Sequence, residues 1–88
     1  MSMELVHKHI ILRIEANNPP DEDELKKWMV ELVDKIGMKI LAGPISANID
    51  YMPGNNGPTC VVIIETSHFA CHVWNDTDPA LIQLDVYT

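Results

Sequence analysis

Eighty-eight residues, 47% hydrophobic and 22% charged, have the composition of one globular domain rather than a disordered chain. So short a chain buries only about two thirds of the surface its unfolded form exposes, so a partner subunit is expected to add stability. Thirteen acids against six bases give a net charge of −7 with no basic cluster, which argues against DNA or RNA as partners. No run of about eighteen apolar residues and no charged-then-apolar leader occurs, so neither a membrane span nor a signal peptide is expected and the chain reads as cytoplasmic.

Residues 5–14 are predicted to form a strand, ended by Asn17, Asn18, Pro19 and Pro20. Asp21 opens a helix. Its carboxylate caps the free amides, Glu24 reaches back three residues later, and acids crowd the positive end of the dipole. Leu25, Trp28, Met29, Leu32, Val33 and Ile36 then recur at three and four residues as one apolar stripe, which Gly37 ends. Residues 38–42 read as a second strand, and 43–58 as a long loop around Pro53-Gly54-Asn55-Asn56-Gly57-Pro58. So long a loop in so small a domain points to a functional or mobile segment. The β-branched run 59–65 reads as a buried central strand, followed by strands at 69–74 and 81–87 with a turn at 75–79.

This order predicts an α+β fold, a two-layer sandwich of a mainly antiparallel sheet with a helix on one face, as a single domain over 1–88. One helix covers only one face of a sheet, so the other needs a further helix or a neighbouring subunit. A homodimer or higher oligomer is expected, with the Ser67 region near the contact. Cys60 and Cys71 lack zinc-ribbon spacing and are expected to be reduced and buried.

Chemistry concentrates in Glu65-Thr66-Ser67-His68-Phe69-Ala70-Cys71-His72-Val73-Trp74. A serine stands between two strand-forming runs, with a histidine beside it and a second five residues on. This stretch resembles the self-processing segment of the prokaryotic pyruvoyl-dependent S-adenosylmethionine decarboxylases. In that family the pattern is Glu-Ser-His, three residues, His, Thr, Trp, Pro, Glu. The opening His7-Lys8-His9-Ile10-Ile11-Leu12 and the closing Leu84-Asp85-Val86-Tyr87-Thr88 are similar to the family's first strand and to its Val-Asp-Val-Phe-Thr. Thr66 stands where the family has glutamate, Asp76 where it has a longer glutamate, and Asn75 where it has proline. The family's catalytic cysteine follows the stretch matched by residues 85–88, so the chain is expected to be an amino-terminal portion with little activity.

The resemblance implies cleavage between Thr66 and Ser67, converting Ser67 into a pyruvoyl cofactor. The serine hydroxyl attacks the preceding carbonyl, and a strained strand connection and a stabilised oxyanion would help this weak nucleophile. His72 would take the serine α-proton in the following elimination, and Thr59 would donate a hydrogen bond to the intermediate. The resulting ketone would serve as an electron sink for decarboxylation of S-adenosylmethionine, which supplies aminopropyl groups for spermidine synthesis. Asp76 would hold the ribose, Tyr51 or Phe69 would stack on adenine, and His68 would complete the substrate site.

A metal centre at His68, Cys71 and His72 is disfavoured, because strand alternation points Cys71 away from both histidines. Two other functions fit the same scaffold. One is decarboxylation of another amino acid, such as ornithine or arginine. The other is a non-catalytic binding or regulatory module.

Overall fold

In the computed structural model, residues 8–87 are described. Five strands and one helix follow in the order β1 (His9–Ala16), α1 (Glu22–Lys35), β2 (Ile40–Ile49), β3 (Gly57–Ile64), β4 (Ser67–Trp74) and β5 (Ala80–Tyr87). The strands form one sheet in the order β1-β5-β4-β3-β2, every neighbouring pair antiparallel. Strands β3, β4 and β5 meander through short connections. The crossover through α1 carries the chain from one edge of the sheet to the other. The expected α+β architecture, an antiparallel sheet with a helix on one face, is what the chain adopts.

Helix α1 starts where its acids satisfy the free amide groups. The Asp21 carboxylate accepts from the Glu24 N–H at 2.8 Å, and Glu24 Oε1 accepts from the Asp21 N–H at 3.2 Å, a reciprocal cap. At the other end, the Gly37 N–H donates to the Asp34 carbonyl and the Met38 N–H to the Val33 carbonyl, closing the last turn. The apolar stripe is narrower than predicted. Leu25, Met29 and Val33 are buried and Leu32 packs against the core, whereas Trp28 and Ile36 flank the contact in solvent. The helix lies over β2 and β3, so side chains on its flanks have no sheet beneath them.

The core is one cluster. Leu25, Met29 and Val33 meet Cys60, Val62 and Ile64 of β3, Phe69, Cys71 and Val73 of β4, and Leu84 of β5. Away from the helix, Ile10, Leu12 and Ile14 of β1 stay exposed, although their register partners Val86, Leu84 and Ile82 continue the same sheet face.

Three boundaries differ from the sequence reading. Strand β1 runs on to Ala16, and residues 5–7, with His7, lie outside the described residues. The predicted loop 43–58 is largely strand, because β2 continues through Gly43 and Pro44 to Ile49. An edge strand tolerates a proline, whose missing N–H breaks no ladder bond on the open side. Two register shifts, between Ile40 and Ala42 and between Ala42 and Ile45, absorb the irregularity. Gly43, at φ +101°, has no room for a side chain, since a Cβ would stand 2.9 Å from the Val61 carbonyl oxygen. Lastly, Ser67 is the first residue of β4 rather than part of a connection.

What remains of the loop, residues 50–56, is tied down. The Met52 N–H donates to Asn56 Oδ1 at 2.7 Å, the Asn75 N–H to the Asn56 carbonyl at 3.1 Å, and Trp74 Nε1 to Asn55 Oδ1 at 2.7 Å. Close passage of this loop against β4 requires Gly57, where a Cβ would overlap the Val73 carbonyl at 1.8 Å.

Because Met29 is fully buried at the centre of the helix contact, Met29→Ala is expected to cost about 2–5 kcal/mol in urea unfolding. Ile36→Ala, at an exposed position, should cost under about 0.5 kcal/mol. Equal losses at the two positions would contradict this account of the core.

Candidate active site

The residues singled out by sequence fall at two ends of β4. At the first end, Glu65 and Thr66 alone connect β3 to β4, since Ile64 pairs with Ser67. Such a tight reversal needs an unusual backbone, and Thr66 provides it at φ +57°. A β-branched residue in the left-handed region is strained, because its Cβ crowds the following carbonyl. Both hydroxyls turn back on one acceptor: Thr66 Oγ1 donates to the Glu65 carbonyl at 2.7 Å and Ser67 Oγ to the same oxygen at 3.1 Å. Ser67 is 9% exposed, the one polar side chain among the buried residues described.

A cavity of about 450 Å³ opens beside the connection, lined by Leu41, Ile63, Thr66, Ser67, His68 and Tyr87 among others. The His68 ring stacks on Tyr87, with centroids 5.6 Å apart and 14° between planes. His9 meets the other edge of Tyr87 at 5.9 Å and pairs through Nε2 with Asp85. His9, Tyr87 and His68 are register partners across β1, β5 and β4. Sequence reading placed Tyr87 and Asp85 only in the closing stretch. Nothing local shows that three strands will align these rings.

At the second end, Thr59 of β3 and His72 of β4 stand directly opposite each other. Thr59 Oγ1 and His72 Nδ1 are 3.0 Å apart. They border a cavity of about 160 Å³ with Ile49, Asn55, Gly57 and Trp74. Asp76 lies close by, accepting from the Gly54 N–H at 2.7 Å and the Asn56 N–H at 3.4 Å. Tyr51, on the same loop, is 75% exposed.

A model of the S-adenosylmethionine decarboxylase family matches residues 9–88. The chain belongs to that family. No solved structure matches it. The match covers both ends of β4, so the left-handed Thr66 and the Thr59–His72 pair lie within the matched region.

Within one chain the two ends stay apart. Ser67 and His72 are separated by five residues of strand, a rise of about 17 Å. An odd separation also sends their side chains to opposite faces. Ser67, Phe69, Cys71 and Val73 point toward the helix, and His68, Ala70, His72 and Trp74 toward the open face. Phe69 is 1% exposed in the core and offers no ring surface to a substrate. Among the described residues no three of His, Cys, Asp and Glu gather as a metal-binding group.

Thr66→Gly, made in a Ser67→Ala background, should stabilise the fold by about 0.5–1 kcal/mol. Relief of a left-handed penalty of about 1–2 kcal/mol exceeds the added entropy of an unfolded glycine. A drop in the denaturation midpoint would show that the connection carries no such strain.

Proposed function

We propose that this member of the family makes a pyruvoyl group from Ser67, by cleavage of its own Thr66–Ser67 bond, as the cofactor for decarboxylation of S-adenosylmethionine. The observation that carries the reading is the left-handed backbone of Thr66, immediately before a serine whose hydroxyl already faces back along the chain. Backbone strain in the residue before the scissile bond is released when the chain opens there, which favours cleavage.

The chain's own atoms account for the processing. Ser67 Oγ bonds to the Thr66 carbonyl carbon, the C–N bond of the peptide breaks, and the serine amine is freed, leaving an ester. A base then removes the Ser67 α-proton while the Cβ–Oγ bond breaks, so residues 1–66 depart with a carboxylate end. Water hydrolyses the remaining dehydroalanine to the ketone and ammonia. The pyruvoyl group supplies an electron-withdrawing carbonyl for the decarboxylation.

His72 fits the base. For Nε2 to accept the proton, Nδ1 must carry its hydrogen and donate it to Thr59 Oγ1. The Thr59 hydroxyl hydrogen is then left to donate outward to the oxyanion of the acyl shift. Asp76 fits the ribose diol, because each carboxylate oxygen accepts one backbone N–H and keeps a second lone pair. Tyr51 remains the adenine-stacking candidate, and His68 borders the Ser67 cavity. The decarboxylated product would donate aminopropyl groups in spermidine synthesis.

Separation of Ser67 from Thr59 and His72 within one chain favours a site shared between two copies. The open face that carries Thr59 and His72 also exposes Ile45, Ile63 and Ile11, an apolar surface suited to a second subunit. One copy would present its Thr66–Ser67 connection to the Thr59–His72 pair of the other.

Mass spectrometry tests this reading. Ser67→Ala should remain one intact chain, and His72→Ala should accumulate an ester cleavable by hydroxylamine. Co-expressing the two variants should restore processing to the His72→Ala chain, whose own serine is intact and whose partner supplies the histidine. Absence of that rescue would refute the shared site, and an unbroken wild-type chain after long incubation would refute the processing.

A further inference from the structure

The Cys60 and Cys71 thiols play no part in the chemistry above. They are register partners across the β3–β4 ladder, both point to the helix face, and both are free and fully buried. Directly opposed residues of antiparallel strands hold their Cα atoms about 4.5–5.5 Å apart, inside the span of about 4.4–6.8 Å that a disulfide bridges. Their position along the chain adds a consequence. Cleavage between Thr66 and Ser67 would leave Cys60 on the fragment 1–66 and Cys71 on the fragment 67–88.

We propose that Cys60 and Cys71 form a disulfide that covalently joins the two fragments across the β3–β4 ladder. Linkage of fragments rests on the processing proposed above, whereas the bond itself does not. The oxidant is a small-molecule disulfide. One cysteine thiolate attacks a sulfur of that disulfide and displaces a small thiolate, which takes up the proton the cysteine lost. The second cysteine attacks the mixed disulfide and releases the other small thiol in the same way. The pair gives up two electrons and two protons, and the small disulfide becomes two thiols.

Several features set how this reaction runs. Cys71 lies beneath a groove of about 410 Å³ between α1 and the sheet, beside Ile14, Pro20, Trp28 and Ile82, and, being fully buried, meets a reagent when that groove opens locally. Burial raises both thiols, Cys71 to about 11, with the neighbouring Cys60 adding to that rise, while Lys26 partly offsets the rise at Cys60. Thiolates are therefore scarce at neutral pH, and oxidation should be slow there and faster as pH rises. The bond would lie one rung from Thr59 and His72. It would hold that pair in register after the peptide link at the hairpin is lost.

The test uses the folded Ser67→Ala chain, incubated with oxidised glutathione at mildly alkaline pH and followed by intact mass. Loss of two hydrogens, with a Cys60–Cys71 peptide in a non-reducing digest, is the expected result. Cys60→Ala in the same background should show no such loss. In processed wild-type protein the oxidised fragments should migrate together under denaturing, non-reducing conditions and separate on adding reductant. A Ser67→Ala chain that keeps its reduced mass, or carries glutathione without an internal bond, overturns the proposal. A wild-type chain that forms the bond yet is never split supports the thiol pair and refutes the processing on which fragment linkage depends.

Discussion

The ladder between β3 and β4 governs the rest of this molecule. Because Glu65 and Thr66 alone close it, the register is set, and every rung beyond the turn follows: Thr59 opposite His72, Cys60 opposite Cys71, Val62 opposite Phe69. A strand repeats every two residues, so the same register sends Cys60, Val62, Ile64, Phe69, Cys71 and Val73 into the core and leaves Thr59 and His72 on the open face. A slip of one residue would exchange the two sets and put a histidine under the helix, an error the buried face strongly opposes.

That sorting sets the Thr59–His72 pair and the packed core on opposite faces of one hairpin. Packing of α1 on β2 and β3 immobilises the ladder from one side, and Thr59 and His72 share that rigidity on the other. The connection at Thr66 shows the same exchange in reverse. A strained backbone persists there because the flanking rungs, with Ile64 and Phe69 buried beneath, leave the two connecting residues few alternatives.

Coverage of the sheet is uneven, and this bears on how a site could be completed. Helix α1 sits over β2 and β3, while β1 keeps Ile10, Leu12 and Ile14 in solvent on the helix side and the other face has no covering layer among the described residues. Ser67 and the Thr59–His72 pair occupy opposite ends of one strand, a separation too long for any side chain to bridge. Bringing them together takes a second surface, and the apolar residues around the pair supply one reason for such a surface to bind.

Much of this was legible in advance where the signal was local. The Asp21 to Glu24 cap, the apolar period from Leu25 to Val33 and the β-branched run before Glu65 each act between residues close in sequence, so the helix and the central hairpin could be read directly. The eight-residue spacing from Thr59 to Ser67 places Thr59 opposite residues near 72 or beyond on a hairpin, and the structure makes that neighbour His72. The sequence by itself thus determined the elements, the hairpin and the resemblance to the family. Tertiary structure alone decided that Gly43 and Pro44 lie within an edge strand, that Phe69 is core, that Asp76 ties down the 50–56 loop, and that His9, Tyr87 and His68 align across three strands. Each of those outcomes depends on which distant strand lies alongside and which face the single helix covers, and pairings between residues far apart in the chain leave no periodic trace along it.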